Sequence, residues 1–396
     1  MHKLVFFVGL IIISLVKAKL NFDSDPDEYI NTSGLIRSKG YVAEEHNVHT
    51  DDGYILTIHR IPHSRHEKKY SVGKPVVFLQ HGLLDASSTW VVNFPEQSLG
   101  FLLADAGYDV WLGNMRGNTY GLRHEKLHAN QSEFWNFSWD ELAKHDLPSM
   151  ISYVLKLTGQ NSLVYVGHSQ GTLIGFSEFG TNKNLASTIK LFIALGPVAT
   201  IKHIISPVRY VAELGAPTNQ QIWFNLFGEK DFLPSSKFME WLADKFCSAE
   251  FTDRLLCMNI LFAFCGPTKF LNQTRVPVYT THAPAGTSVK NLAHYGQSVI
   301  SGKFQMYDYG SKENLIQYNQ TTPPQYDISK VRVPTALYWA KNDWLADPVD
   351  LEYIRKNLPN IVDDYEIMDW DHLDFVWAVN AKEHLYNRII DLIKSS

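Results

Sequence analysis

The chain holds 396 residues, 45% of them apolar and 13% aromatic, enough to bury a large core in one elaborated domain or a few smaller ones. Only 19% are charged, and 36 Lys plus Arg against 41 Asp plus Glu leave a formal charge of −5. Nothing in this balance favours nucleic acid, which needs clustered positive charge, and the composition excludes a disordered or fibrous chain.

The N-terminus reads MHKLVFFVGLIIISLVKA, with a basic Lys3, an apolar run over 4–16 and small residues before a cleavage point after Ala18. That run falls short of the ~20 residues that span a bilayer, so 1–18 resembles a secretory signal peptide. The longest later apolar run, LLCMNILFAFC at 255–265, is also too short to span. Five N-x-S/T sequons, at Asn31, Asn130, Asn136, Asn272 and Asn319, fit a glycosylating secretory route. The three cysteines, Cys247, Cys257 and Cys265, include no C-x-x-C pair, which argues against zinc. In an oxidising compartment two are expected to pair, leaving one buried thiol.

Apolar runs of buried-strand length lie at 75–80 (PVVFLQ), 108–112 (YDVWL), 163–166 (LVYV) and 191–195 (LFIAL). Helix-compatible segments at 99–107 and 146–159 separate them. This alternation predicts an α/β fold, a mostly parallel sheet with helices on both faces. From 202 to 326 prolines, aromatics and helical runs replace it. Strands are expected to resume at 334–340 (PTALYWA) and 365–368 (YEIM), before a C-terminal helix at 380–394. The economical division is a core of 19–201 and 327–396 interrupted by a mainly helical cap over the sheet's carboxyl edge, where open α/β folds bind ligands.

The chemical signal is GHSQG, 167–171, between the strand LVYV and the helix-compatible TLIGFSEFG. A nucleophile elbow needs this context: Ser169 takes a strained strand-to-helix turn, while Gly167 and Gly171 let strand and helix approach closely. A serine hydroxyl is a poor nucleophile without an imidazole that is itself oriented by a carboxylate. In α/β hydrolases the acid and then the base follow the serine along the chain. Asp343 just follows PTALYWA and His372 lies in DWDHLDF after YEIM, both on post-strand loops. Asp347, before Pro348, is better placed as a helix cap. Asp371 and Asp374 lie too close to His372 along the chain to reach its far nitrogen. His168 is expected to face away as packing, and His81 to serve its own loop.

Acyl transfer also needs donors for the oxyanion, usually two backbone N–H groups. The residue after the nucleophile, Gln170, offers one. In LQHGLLDASSTW, 79–90, Gly82 permits a tight turn that presents the N–H of Leu83.

These strings, with DAGYDVWLGNMRGNTYG, KHDLPSMISYVLKLTGQ, HAPAGTSVKNLAHYGQ, GKFQMYDYG and NDWLADP in order from about residue 27 to the C-terminus, resemble the animal acid lipases, the gastric and lysosomal group of α/β hydrolases. The resemblance implies Ser169 as nucleophile, Asp343 as acid, His372 as base, and Leu83 with Gln170 as the oxyanion hole. It also implies a cap near 202–326 carrying a Cys247–Cys257 disulfide, although the stretch between those two is one residue longer than the family pattern. The segment 207–228 matches no family string, and substrate preference is expected to be set there.

The implied activity is that of a secreted or lysosomal serine ester hydrolase acting on triacylglycerols or sterol esters at a lipid–water interface, without metal or organic cofactor. A small-ester carboxylesterase with the same triad is the alternative enzyme. A catalytically dead lipid-binding or storage homologue is the alternative of another class, disfavoured because Ser169, Asp343 and His372 all stand in coherent contexts. The run 255–265 reads either as the buried core of the cap or, with the surrounding stretch 236–266, as part of a lid with an apolar rim that is closed in water.

Overall fold

Alternating apolar side chains decide which way each strand faces. Val77, Leu79, Val110, Val166 and Ile193 enter one buried cluster, while Val76, Phe78, Trp111, Tyr165 and Phe192 enter another. With successive side chains on opposite faces, the sheet is covered on both sides, as a parallel sheet must be. The computed structural model describes residues 25–67, 73–207, 209–210, 228–232, 264–266 and 268–396. The expected signal peptide, Cys247, Cys257 and all of the expected lid except 264–266 lie outside the described residues.

Among those residues nine strands form one sheet in the order β1-β2-β4-β3-β6-β7-β8-β9, with β5 paired to β2. They are β1 Glu44–His49, β2 Tyr54–Ile61, β3 Val76–Gln80, β4 Asp109–Leu112, β5 Arg123–His124, β6 Leu163–His168, β7 Ile189–Leu195, β8 Thr335–Trp339 and β9 Ile361–Glu366. From β4 through β9 the pairing is parallel; β2 runs antiparallel to β1, β4 and β5. Because β3 lies between β4 and β6, the strand order reverses direction between β3 and β6, the kind of switch point at whose carboxyl edge open α/β sheets bind ligands.

Helix α1 is Leu99–Asp105 and α2 is Leu147–Thr158, the latter burying Leu147, Met150, Ile151 and Val154 at helical spacing. Gly159, at φ 68°, ends α2 in the left-handed conformation that glycine adopts freely. Helix α3, Gln170–Thr181, follows the elbow directly.

No sheet strand occurs among the described residues between β7 and β8, a stretch that includes α4, Val289–Ser301. The return leg of this stretch is tied to the core. Gly266 packs against the Trp344 ring, Thr268 Oγ1 donates to Asp374, and the Val379 N–H donates to the Phe270 carbonyl at 2.8 Å.

Two sequence expectations are corrected. The last strand is 361–366 rather than 365–368, because it is a largely exposed edge strand whose IVDDYE carries no apolar run. Strand β1 escaped notice for the same reason, since EEHNVH alternates exposed with half-buried or buried positions at an edge; β2, YILTIHRI, is mostly buried, but Thr57, His59 and Arg60 break its apolar run.

Candidate active site

Ser169 stands between β6 and α3 at φ 54°, ψ −118°, a conformation costly for any residue with a side chain. Several contacts hold it there. Its N–H donates to the Leu195 carbonyl at 3.0 Å, and its own carbonyl accepts from Thr172 N–H at 2.8 Å and Thr172 Oγ1 at 2.7 Å. The flanking glycines have steric reasons. A Cβ on Gly167 would lie 2.7 Å from the Gly171 carbonyl, and one on Gly171 would lie 2.5 Å from the Gln80 carbonyl of β3. Any side chain at either position would push α3 off the sheet.

Asp343 and His372 meet beyond the ends of β8 and β9. His372 Nδ1–H donates to Asp343 Oδ2 at 2.7 Å, with both side chains almost wholly buried. Asp343 Oδ1 accepts the N–H groups of Leu345 and Ala346, each at 2.8 Å. Burial alone would raise the Asp343 pKa, but the facing imidazole and these N–H groups overcome it and hold the carboxyl below its usual range. With Nδ1 engaged, His372 Nε2 is the free nitrogen, buried and without a partner among the described residues. Gly196, next to the residue that anchors Ser169, lets the pair approach: a Cβ there would lie 3.1 Å from the His372 ring and 3.4 Å from Asp343 Oδ2. The structure thus gathers the three sequence-predicted residues at one carboxyl edge.

The rivals occupy other posts. Asp347 caps α5, Pro348–Asn357, by accepting the Val349 N–H at 2.7 Å. Asp371 and Asp374 pair locally, with the Asp371 N–H donating to Asp374 Oδ2 at 2.9 Å. Burial, reinforced by the nearby Asp374 and Asp343, pushes Asp371 well above the carboxylate range, and burial pushes Asp374 up to about 6. His168 departs from expectation. It does not face away: its Nε2–H donates to the His372 carbonyl at 2.9 Å, and the two rings lie 4.8 Å apart. Burial and the neighbouring His372 drive its pKa down to about 3, so it stays neutral at acid pH. Sequence reasoning missed this link because it joins residues far apart in the chain.

The loop after β3 lies against the elbow, since a Cβ on Gly82 would sit 3.0 Å from Ser169 Cβ. The backbone N–H groups of Leu83 and Gln170 donate to nothing among the described residues, and Gln170 is the first residue of α3, where helix N–H groups have no intrahelical acceptor. His81 braces this loop from behind. Its Nδ1–H donates to the Gly82 carbonyl at 2.8 Å, while Nε2 accepts from Met115 N–H at 3.2 Å and Asn118 Nδ2 at 3.1 Å. The Met115–Asn118 turn is fixed in turn by Arg116, whose guanidinium is clamped between Asp146 and Asp52.

Comparison with known proteins bears on the fold and the family. A family model described as the alpha/beta hydrolase fold matches residues 75–379, and one described as a partial alpha/beta-hydrolase lipase region matches 32–94. The chain is 48% identical over 372 residues to the human lysosomal acid lipase/cholesteryl ester hydrolase, covering 93% of this chain and 92% of that one. It is 46% identical to rat gastric triacylglycerol lipase, covering 93% of each, and 42% identical to a lipase of Caenorhabditis elegans, covering 98% and 97%. Among solved structures, a thermophilic esterase from Thermogutta terrifontis superposes with TM-score 0.52 at 14% identity, covering 89% of this chain and 98% of that one. An epoxide hydrolase from Vigna radiata superposes equally well at 16% identity, with 89% and 99% covered. Likeness at that identity speaks for the fold alone.

Proposed function

The chain belongs to the α/β-hydrolase lipases, the carboxylic ester hydrolases that include the lysosomal acid and gastric lipases, and on that premise we propose that it hydrolyses neutral lipid esters through Ser169, His372 and Asp343. The observation that carries this reading is the buried Asp343–His372 hydrogen bond, which leaves His372 Nε2 without a partner among the described residues, at the edge where the elbow holds Ser169. His372 Nε2 takes the Ser169 proton as Oγ attacks the ester carbonyl. The oxyanion is received by the N–H groups of Leu83 and Gln170. His372 then returns the proton to the departing alcohol, and water repeats the sequence on the acyl-enzyme. Asp343, kept ionised, favours the imidazolium that forms in each half. Nucleophile, base, orienting acid and oxyanion donors are all supplied by the chain itself.

The segment 202–326 is read as a cap, supported by its insertion between β7 and β8 of one sheet, and 19–201 with 327–396 as the core. Delivery to a secreted or lysosomal lumen is supported by the relatives and by the exposure of Asn31, Asn130, Asn136 and Asn319; Asn272 is half-buried. No helix among the described residues is long and apolar enough to cross a membrane. Assaying the purified protein on triacylglycerol, cholesteryl ester and short soluble esters at acid and neutral pH tests the reading. Turnover of either emulsified lipid above that of the soluble esters is the expected result. Turnover of soluble esters alone would make it a small-ester carboxylesterase, and none at all a lipid-binding homologue.

A further inference from the structure

The two proposed oxyanion donors sit on different elements, the loop after β3 and the first residue of α3, and one short segment, 285–291, reaches the neighbour of one and the side chain of the other. At its start, the Ala285 N–H donates to the Leu84 carbonyl at 2.7 Å. Leu84 follows the donor residue Leu83 and is held at φ 59°, unfavourable for a branched side chain and stable only when its surroundings impose it. At the end of the segment lies Asn291, fully buried in the first turn of α4. Its Nδ2 donates to Gln170 Oε1 at 2.8 Å and to Thr287 Oγ1 at 3.0 Å. The same turn is pinned to the core: Ser288 Oγ accepts the Asn291 N–H at 2.9 Å and donates to the Phe137 carbonyl.

Asn291 makes little sense as filler. Its Oδ1 is buried and finds no partner among the described residues, a cost that a leucine of similar volume would avoid. What leucine could not supply is the pair of N–H donors, one of which fastens the side chain of the residue whose own backbone N–H faces the reaction.

We propose that Asn291 is a positioning residue for the oxyanion hole, fixing Gln170 from behind while Ala285 fixes Leu84, so that a single segment sets the spacing of both donors. This deepens the lipase reading and rests on it. Removing one oxyanion donor outright costs ~10²–10³-fold in turnover, and loosening one should cost part of that, about tenfold. The effect should fall on kcat with KM within about twofold, since only the charged transition state needs the donor aligned.

The test is a double-mutant cycle on a soluble chromogenic ester, with active sites counted by phosphonate titration. Asn291→Leu and Gln170→Leu should each lower kcat about tenfold, and the double variant should be no worse than either single one, because both break the same link. Asn291→Ser, whose shorter side chain does not span to Gln170, supplies a second cycle with Gln170→Leu and serves alone should Asn291→Leu fail to fold; its loss should likewise fall on kcat with KM within about twofold. Multiplicative losses in the cycle, or a loss that falls on KM rather than kcat, would overturn the proposal. Neither result would touch the Ser169 reading, which fails only if Ser169→Ala stays active.

Discussion

The two sides of the site are built on opposite principles. On the side proposed for the base both carboxylate oxygens of Asp343 are engaged: one by His372 Nδ1–H, the other by two backbone N–H groups. On the proposed oxyanion side the N–H groups of Leu83 and Gln170 find no acceptor among the described residues, and the hydrogen bonds that hold their segments run through His81, Ala285 and Asn291. A group that must hold one charge state throughout is saturated by its partners. A group proposed to meet a charge existing only in the transition state is fixed from the rear instead, with no protein acceptor among the described residues. The first kind should fail abruptly when its partner is lost, and the second by degrees.

The largest break is at the nucleophile, which both sides serve. Ser169→Ala should lower ester turnover on the order of 10⁴-fold or more while leaving the fold intact, since alanine adds no bulk to the elbow. Steady-state kinetics with circular dichroism as the folding check will decide, and retention of more than about a tenth of the activity would remove Ser169 from the mechanism. On the saturated side, Asp343→Asn should cost ~10³-fold or more in kcat through the wrong His372 tautomer. Asp347→Asn should leave kcat within about twofold, because asparagine caps a helix nearly as well as aspartate. The reverse ranking would transfer the acid's role to Asp347.

A smaller effect is expected at the link between the sides, His168. His168→Leu strands the buried His372 carbonyl and should lower kcat about tenfold with a stability loss of about 1–3 kcal/mol. His168→Gln, which can still donate, should recover most of the turnover; equal losses in both variants would reduce His168 to packing.

The mildest change concerns stability rather than rate. Burial pushes Asp85, beside the oxyanion loop, up to about 7 from an ordinary 3.8. Between those two values the native state binds more protons than the unfolded chain, so stability falls as pH rises, by up to ~1.4 kcal/mol per pH unit for each such group. Asp343, with its pKa lowered, acts oppositely, but only as pH falls through its low folded value. The gap in melting temperature between pH 5 and pH 8 also carries the opposite contribution of buried histidines such as His168, whose pKa is lowered, so the prediction is a difference between variants: Asp85→Asn should shift that gap in favour of pH 8. An unchanged gap would show that Asp85 titrates normally.

Much of this was legible where the information is local. PVVFLQ and LVYV read as buried strands because each pairs on both sides and is covered on both faces. GHSQG read as an elbow because its glycines are needed by contacts within a few residues and with the next strand. The expectation of Asp343 and His372 rests on chain order, since each follows the strand that delivers it. The supports were not legible: Asn291 lies 121 positions from Gln170, and no local pattern marks a buried asparagine as a donor to a distant helix cap. His168 was misjudged similarly, since its partner is a backbone carbonyl across the sheet edge. Edge strands such as IVDDYE escape because exposure removes the apolar run that would announce them.

The claim that the elbow serine acts with the Asp343–His372 pair is tested most directly by covalent labelling. The protein is incubated with a nitrophenyl phosphonate, and residual esterase activity is followed alongside the adduct by peptide mass spectrometry. The account predicts one phosphonyl group per active chain, on Ser169, formed in step with the loss of activity and at least 10²-fold more slowly in Asp343→Asn. Complete inactivation with the adduct on another residue, or labelling of Ser169 at an undiminished rate in Asp343→Asn, would contradict it.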